Sequence, residues 1–387
     1  MTIDTSYQDQ FPFLFAGNAG TIRISASADE EIPIKVEHIR RYKKKAPHGF
    51  VLVAETDYET EFRMLADSSG VLELDFSGIC RAIPFAFLSD PGSLFIRAPH
   101  SSSAVPYDFI RLTFGTDDSH VFKKTVFYGH VDDGMLSEIY GHKCFITSRP
   151  QISRSRMDGK IDDLAFAPGN TRILAMLYLE LLPPTEIVVG EFDEYLTAAD
   201  VSYFTIRDLA DTAGYSGHEI RAYDILAETS LTDDDGNVTS VVKSEVLRFI
   251  VPNHKVSTFE FLSSVGAIEP IYAAGSKKSE VETETRTFVN DGVERELTND
   301  SRLVHETFTG WLASADEVRF WREFFSSAER YAVTDGVSRE IIIDEIDSES
   351  TAGELNAFSF KWHYADKYAD PARTPVRKEL KQYNPTI

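Results

Sequence analysis

The sequence has only two cysteines in 387 residues, Cys80 and Cys144. Two widely separated cysteines cannot form the disulfide framework of a small secreted domain, nor supply the four ligands of a structural zinc site. Cys80 lies in an apolar stretch, which predicts a buried free thiol. Such sparing use of cysteine is typical of a protein made in a reducing compartment.

Long hydrophobic runs are also missing. The longest candidate, Ile173–Leu182, is interrupted by Glu180 and followed by Pro183 and Pro184, and it falls well short of the roughly 20 residues that cross a bilayer. We interpret it as a buried strand. The N-terminus has neither a basic segment nor a long apolar core, which predicts no secretory signal. We therefore expect no membrane insertion, and a protein that stays in the cytoplasm or is assembled from there.

Positive charge is in the minority, with 39 Lys and Arg against 62 Asp and Glu and a formal net charge of −23. Nucleic acids and anionic membranes attract clustered Lys and Arg, so this balance argues against a nucleic-acid partner. Solubility is the simplest use of the negative charge. The one basic run, Arg40 to Lys45, lies between two strand-like stretches. We interpret it as an exposed strand end or loop rather than a nucleic-acid patch.

The sequence contains no phosphate-binding loop, no dinucleotide fingerprint, and no common metalloprotease or serine-hydrolase motif. The best candidate metal ligands are His130, Asp132, Asp133, Glu138 and His142. These are legitimate ligand types in a short span. The stretch is loop-like and rich in glycine, however, and has no fixed periodicity that would bring the side chains together. We therefore predict no metal site, no catalytic residue and no cofactor.

A pair of carboxylates for glycoside hydrolysis was the other chemical possibility. Such chemistry needs two acids at a defined separation, flanked by aromatic rings that stack on sugars. The candidates stand near strand ends: Glu180, Glu186, Glu191 and Asp193, beside Phe192 and Tyr195. In a chain with 62 acidic residues, a solvated acidic rim is the favoured interpretation.

Short alternating segments separated by polar turns dominate the chain, as at Thr21–Ser25, Gly70–Phe76 and Phe109–Phe114. Aromatic residues make up 12% of the sequence, and they favour pleated, half-buried surfaces. This pattern predicts sandwiches or barrels. Further strands are predicted at Ile32–Val36, Gly49–Ala54, Lys143–Thr147, Ser202–Ile206 and Ala357–Tyr364. The fold class is therefore mainly β, with tandem antiparallel β-sandwich-like domains and a small α+β C-terminal domain.

The length of the chain predicts two to four domains. We place a β-sandwich at residues 1–100 and a second at 101–250, the latter with a long loop at 150–170. A C-terminal α+β domain follows at 251–366, and residues 367–387 form an extended tail. Long loops and arms of this kind are often functional.

Two patterns stand out in the C-terminal third. Ser276–Arg302 alternates charged residues with Thr and Val, which predicts an extended strand, a turn at Asn290 to Gly292, and a returning strand. The spacing of Ser314 and Glu317 predicts a capping box. Apolar residues recur after that cap at helical spacing and predict a helix with one apolar face: Val318, Trp321, Phe324 and Phe325.

Three phenylalanines alternate near the N-terminus: Phe11, Phe13 and Phe15. They predict either a strand that starts the first core or an arm that pairs with a neighbouring subunit's sheet edge. Both interpretations stay open on the sequence.

Four C-terminal stretches form an ordered series: Thr258–Gly275, Lys277–Thr287, Phe308–Val333 and Phe358–Asp366. The series resembles structural proteins encoded in tail modules of phages and prophages of Bacteroidetes bacteria, in which a charged strand leads to a "TGWL… W…FFSS" helix and a closing strand ends in an aromatic-Ala pair. The N-terminal segment VLELDFSGICRAI is similar to a recurring segment in the same proteins. The shared motifs are packing motifs and carry over no catalytic residue.

The resemblance implies a tail, baseplate or related virion component that is synthesised and assembled in the host cytoplasm. Its partners would be other copies of itself and other virion proteins. The contact segments that we predict are Asp4–Phe15, Pro150–Asn170 and Lys367–Ile387. A module that binds a host glycan or receptor is the alternative, and a carbohydrate hydrolase is a third possibility.

Overall fold

A computed structural model describes residues 1–11, 13–46, 49–82, 109–115, 120–127, 129–160, 162–166, 170–192, 197–232, 237–253, 256–290, 293–349 and 356–365. The strands in the first part of the chain are β1 (Thr2–Asp4), β2 (Leu14–Phe15), β3 (Thr21–Ser25), β4 (Glu31–Ala46), β5 (Gly49–Leu65), β6 (Val71–Asp75), β7 (Phe109–Phe114) and β8 (Val121–Phe127). Those in the middle are β9 (Ile152–Arg154), β10 (Asp163–Phe166), β11 (Thr171–Leu179), β12 (Thr185–Phe192), β13 (Thr197–Asp200), β14 (Ile220–Thr232), β15 (Val238–Lys243) and β16 (Leu247–Ile250).

The remaining strands are β17 (Ser257–Leu262), β18 (Ile268–Ala273), β19 (Lys277–Asn290), β20 (Val293–Phe308), β21 (Arg330–Thr334), β22 (Val337–Glu349) and β23 (Ala357–Tyr364). The α-helices are α1 (Ser6–Asp9), α2 (Phe76–Ala82), α3 (Asp133–Tyr140), α4 (Tyr203–Ala210) and α5 (Ala315–Ser326). The predicted mainly β class, built from several antiparallel sheets, is confirmed. No helix among the described residues is long and apolar enough to cross a membrane.

The chain forms two compact units. Unit 1 comprises Met1–Val251 and Leu262–Glu269, and unit 2 comprises Pro252–Phe261 and the chain from Pro270 onward. Each unit has its own buried core of aliphatic and aromatic side chains.

The first core of unit 1 lies between a three-stranded sheet, β1-β3-β6, and a five-stranded sheet, β2-β8-β7-β4-β5. Alternation produces it: Ile22 and Ile24 of β3 are fully buried while their neighbours face solvent, as expected for a strand with one covered face. The Asp67 side chain stabilises the turn before β6, because it accepts hydrogen bonds from the backbone N–H groups of Ser69 and Val71. Strand β7 pairs with β4 in antiparallel register.

The second core of unit 1 lies under the sheet β12-β11-β14-β16-β9, with β15 as a further partner of β14. The predicted strand at Ser202–Ile206 is wrong, because Ser202 caps α4 and the helix buries Ile206 and Ala210 on one face. The strand predicted at Lys143–Thr147 is reduced to a single bridge between Ile146 and Ala165.

Unit 2 holds a seven-stranded sheet in the order β18-β17-β21-β22-β23-β20-β19. Helix α5 packs on it through Val318, Trp321 and Phe324, so the predicted helix and its apolar face are confirmed. Strand β23 supplies the sheet side of this core through alternate residues, Phe358, Phe360 and Trp362. The small α+β region predicted at the C-terminal end matches this arrangement.

The start of α5 provides a local test of the capping interpretation. The Ser314 hydroxyl accepts a hydrogen bond from the Glu317 backbone N–H at 3.1 Å, and the Glu317 carboxylate accepts one from the Ala313 N–H at 2.6 Å. We expect Ser314→Ala to lower the free energy of unfolding of unit 2 by about 1 kcal/mol, measured by urea titration. Ser137→Ala, at an exposed position within α3, is the control and should change stability by less than about 0.5 kcal/mol. Equal effects would contradict the cap.

Candidate functional site

The first structural feature that points to function is the length of the β4–β5 hairpin. Its register runs from Glu31 opposite Leu65 to Ala46 opposite Gly49, with one shift between His38 and Ile39. Strand β7 pairs with β4 only from Ile34 to Ile39. Beyond that point, among the described strands, Arg40–Ala46 and Gly49–Glu55 pair only with each other. We call this part the first ribbon, and its seven residues on β4 span about 23 Å at the usual strand rise.

The β19–β20 hairpin has the same property and is longer. Its register runs from Lys277 opposite Thr307 to Asn290 opposite Val293, which confirms the predicted strand and returning strand. Asp291 and Gly292 of the predicted turn lie outside the described residues. Strand β23 pairs with β20 only from His305 to Phe308. The part beyond, Glu280–Asn290 with Val293–Val304, has no third strand within the described chain. This second ribbon spans about 36 Å.

Charged groups hold the base of the first ribbon. Glu37 is buried on β4 and receives Lys35 at 3.2 Å and the Arg111 guanidinium at 3.6 Å. Lys35 also reaches Glu59 on β5 at 3.2 Å. Hydrogen bonds to Glu59 and Glu37 raise the pKa of the Lys35 ammonium. The ribbon therefore leaves the sheet from a cross-linked base.

The base of the second ribbon is held more firmly. Two guanidinium nitrogens of Arg302 lie 3.1 and 2.9 Å from the same oxygen of Glu282, and a third contacts Asp344 at 3.4 Å. The Glu282 hydrogen bonds raise the pKa of Arg302. His305 stacks on Trp362 with ring centroids 4.3 Å apart and shares a hydrogen bond with Ser279 at 2.7 Å. These contacts fix the point from which the ribbon leaves the sheet of unit 2.

A two-stranded ribbon is marginally stable in water, since independent stability needs a third strand or a packed face. Strand edges without a neighbouring strand are also templates for pairing with another chain. Two such ribbons, each on a well-anchored base, are therefore candidate contact surfaces. The predicted contact segments did not include either of them.

The predicted N-terminal contact segment, Asp4–Phe15, is mostly built into its own chain. Phe13 and Phe15 are fully buried against α3 and Val131, and Leu14 pairs with Val126 of β8. The Tyr140 hydroxyl donates to the Phe13 carbonyl at 2.6 Å. Phe13 and Phe15 are therefore buried within their own chain, in a cluster that is separate from the first core. The free arm is wrong for Phe13–Phe15, because their packing surface is already used.

The predicted contact segment Pro150–Asn170 is likewise held in place where the structure describes it. Ile152–Arg154 pairs in parallel with β16, and Asp163–Phe166 pairs with β13. Arg149 forms a 2.7 Å ion pair with Asp162, and both side chains are buried. The predicted long loop therefore contains two short paired strands where the structure describes it. The third predicted segment, Lys367–Ile387, lies outside the described residues.

A further buried anchor belongs to the same region of unit 1. Glu269 is 1% exposed. Its carboxylate accepts hydrogen bonds from the Thr147 hydroxyl at 2.8 Å, the Ser148 N–H at 2.9 Å and the Ser148 hydroxyl at 3.0 Å. Three donors satisfy a buried carboxylate of this kind. The Glu269 carboxylate thereby links its own segment to the segment of Thr147 and Ser148. No sequence pattern predicted this contact.

The candidate metal ligands do not converge. Asp132 caps α3 by accepting from the Met135 N–H at 2.8 Å, and Glu138 is exposed on the same helix. Burial lowers the pKa of His142. In the described part of the chain, no three His, Cys, Asp or Glu side chains lie close enough to hold a metal ion.

The candidate hydrolase carboxylates are dispersed as well. Glu186 and Glu191 lie five residues apart on β12, a distance of about 17 Å along a strand, whereas hydrolytic pairs are about 5 to 9.5 Å apart. Glu191 pairs with Arg172 at 3.3 Å and Glu180 with Arg221 at 3.0 Å. Asp193 and Tyr195 lie outside the described residues.

Both cysteines are free and buried, as predicted for Cys80. Burial raises the pKa of the Cys80 thiol above its usual range and that of Cys144 to about 12. A thiol is nucleophilic only as the thiolate. Neither side chain therefore has the character of a reactive cysteine.

Comparison with known proteins adds little to this geometry. No protein-family profile and no curated protein sequence matches the chain. Among solved structures, one match is to a chain from a structure described as "Virion of native gene transfer agent (GTA) particle", with 13% sequence identity and a TM-score of 0.21. It covers 30% of this chain and 95% of that one. A TM-score this low does not indicate a common fold, so no part of the functional argument rests on it.

Proposed function

We propose that the protein is a non-enzymatic structural component of a phage tail, baseplate or related particle. It acts through symmetric self-assembly and through contacts with neighbouring particle proteins. The observation that supports this proposal is the pair of ribbons that extend beyond their sheets from anchored bases. The type of particle rests on the sequence resemblance alone.

The physical argument concerns what would stabilise the ribbons. An isolated two-stranded hairpin contributes little stability of its own. Ordering the backbone costs about 1–2 kcal/mol per residue, so a ribbon of this length is favoured when another surface covers it. A neighbouring subunit offers that surface, and contacts between unlike patches generate rings or open filaments. Assembly in the host cytoplasm and a final place in the virion belong to the same proposal.

We also propose that the chain is organised in four parts, at residues 1–100, 101–250, 251–366 and 367–387. The tail at 367–387 stays a proposed contact segment. The two ribbons take the place of Asp4–Phe15 and Pro150–Asn170 as the main contact surfaces.

Shortening the ribbons tests the proposal. Replacing residues 41–54 by Asn-Gly joins Arg40 to Glu55, which are cross-strand partners, through a favoured two-residue turn. Replacing residues 283–301 in the same way joins Glu282 to Arg302 and keeps their ion pair. We expect each variant to fold, because pairing with β7 and β23 is retained. We also expect each to lack the multimer that the proposal predicts for the full-length chain in light scattering.

The β14–β15 hairpin is the matched control. Replacing residues 231–240 by Asn-Gly joins Ser230 to Val241, which are also cross-strand partners, and shortens a hairpin without touching either ribbon. We expect its mass to equal that of the full-length chain. Multimers that persist in both ribbon variants, or are lost equally in the control, would contradict the proposal.

A glycan- or receptor-binding module is the second candidate function. It is favoured by Trp311, which is 56% exposed and packs edge-on against Phe308 at 5.9 Å, because exposed aromatic rings are typical sugar-stacking surfaces. Under this alternative, Trp311→Ala would abolish binding on a glycan array while leaving the native mass unchanged. Under the assembly proposal, the array shows no binding for either protein.

A further inference from the structure

The first ribbon carries the whole basic run of the chain, Arg40 to Lys45. Residues 40–55 contain five basic residues and one acidic residue, a formal charge of +4 in a chain of net charge −23. The register places Arg41 opposite Ala54, Lys43 opposite Leu52 and Lys45 opposite Phe50. The positions across the ribbon are therefore apolar. Cross-strand pairs of opposite charge stabilise a hairpin. None of these three positions has such a pair.

The second ribbon carries the opposite charge. Residues 280–304 contain three basic and seven acidic residues, a formal charge of −4. The register places Glu284 directly opposite Asp300, and like charges in that relation destabilise a strand pair. Only Glu282 stands opposite a basic residue, Arg302, which also contacts Asp344. The outer part of this ribbon would gain stability from cations that come from outside it.

We infer that the first ribbon of one copy docks along the second ribbon of another copy, so that the basic strand positions from Arg41 to Lys45 lie alongside the acidic strand positions around Glu284 and Asp300. This inference rests on the proposed assembly function and names the surfaces involved. The charges of the two ribbons are equal in magnitude and opposite in sign, and both are two-stranded, so their free edges can also pair. Opposite charges across an interface fix its register and suppress wrong partners.

The overall charge favours a second copy over nucleic acid as the partner. A nucleic-acid duplex would have to approach a chain of net charge −23. The affinity of the chain for that duplex would depend on one short basic strand. An acidic ribbon on the same chain, present at equal concentration, is the better-matched surface. The contact joins unlike patches, so each copy uses both ribbons and the assembly grows head to tail.

Charge reversal with complementation tests the inference. The first variant carries Arg41→Glu, Lys43→Glu and Lys45→Glu, so both of its ribbons are acidic. The second carries Glu284→Lys, Glu296→Lys and Asp300→Lys, so both of its ribbons are basic. At about 0.05 M salt, where screening is weak, we expect each variant alone to self-associate about 100-fold more weakly than the unmodified chain. An equimolar mixture should recover the multimer, because each ribbon then meets its opposite.

Matched controls separate ribbon charge from net charge. Reversing three exposed basic residues outside the ribbons changes the net charge by the same amount and should leave the mass unchanged: Arg23→Glu, Lys143→Glu and Arg319→Glu. For the second variant, three exposed acids serve in the same way: Glu73→Lys, Glu138→Lys and Asp208→Lys.

The outcomes are distinguishable. If both charge variants keep the multimer while the ribbon deletions lose it, the proposed function survives and the charge pairing is overturned. If the mixture fails to recover the multimer although both variants remain folded by circular dichroism, the pairing is also overturned. A fluorescent duplex DNA that binds the unmodified chain, and not the first variant, would make the first ribbon a nucleic-acid arm instead. A monomeric unmodified chain at every concentration would overturn both proposals.

Discussion

Replacing Trp362 with alanine is expected to lower the free energy of unfolding of unit 2 by about 3–5 kcal/mol. The ring is fully buried, and its Nε1–H donates to the Thr307 hydroxyl at 2.9 Å. It contacts Phe259 and His305 at centroid distances of 5.6 and 4.3 Å. The substitution removes the apolar contacts that the ring makes in this core and leaves a cavity in its place. Urea unfolding, followed by fluorescence and circular dichroism, gives the change.

Trp362→Phe provides the comparison for that result. It keeps an aromatic ring and loses the hydrogen bond to Thr307, so we expect a smaller loss, about 1–2 kcal/mol. The base of the second ribbon should loosen in the alanine variant alone, because His305 then loses its stacking partner. An alanine variant as stable as the phenylalanine variant would show that Trp362 does not hold this core together.

Replacing Arg149 with methionine is expected to lower the free energy of unfolding of unit 1 by about 3–5 kcal/mol. The Arg149–Asp162 pair is almost wholly removed from solvent, with an N–O distance of 2.7 Å. Removing the cation leaves a buried carboxylate without its main counter-charge, which is far more costly than the loss of an exposed pair. Chemical unfolding of the full-length chain, with a probe in unit 1, measures the effect.

The double variant Arg149→Met with Asp162→Leu tests whether an uncompensated charge causes that loss. Replacing both partners of a buried pair by apolar residues is often nearly neutral, so we expect the double variant to recover most of the lost stability. Arg63→Met, at a pair with Glu31 in which both side chains are exposed, should cost less than about 1 kcal/mol. A double variant less stable than Arg149→Met would contradict this account.

The sequence predicted the local features of unit 2 well. The helix at Ala315–Ser326 follows from the Ser314 cap and its apolar spacing, and β23 coincides with the predicted Ala357–Tyr364 strand. The β19–β20 hairpin was also evident from alternation and a turn signal. In each case the information lies within about 15 consecutive residues, which is the range over which periodicity and capping operate.

The misses involve contacts between distant residues. Burial of Phe13 depends on Tyr140, which lies 127 positions further along the chain, and no local pattern specifies that pairing. The strand predicted at Ser202–Ile206 has suitable β-forming residues, but Ser202 caps a helix and burial of Ile206 and Ala210 fixes it, so tertiary packing overrides propensity.

The sequence predicted the two ribbons only in part. Predicted strands at Ile32–Val36 and Gly49–Ala54 are the two ends of the β4–β5 hairpin, and the basic run between them interrupted the apolar pattern. Pairing with a third strand ends at Ile39 in β4 and at His305 in β20. These positions are set by the ends of β7 and β23, which are distant in the sequence. In the second ribbon, charged residues alternate with Thr and Val through the predicted strand, and this alternation was the one sign in the sequence of a ribbon outside a core.

The measurement that tests the central claim most directly is the native mass of the unmodified full-length chain, by light scattering across concentration at about 0.05 M and 0.5 M salt. The account predicts a multimer that forms with rising concentration and weakens at the higher salt, because it is held by oppositely charged ribbons. A strict monomer of 43.5 kDa at every concentration and at both salts would contradict it.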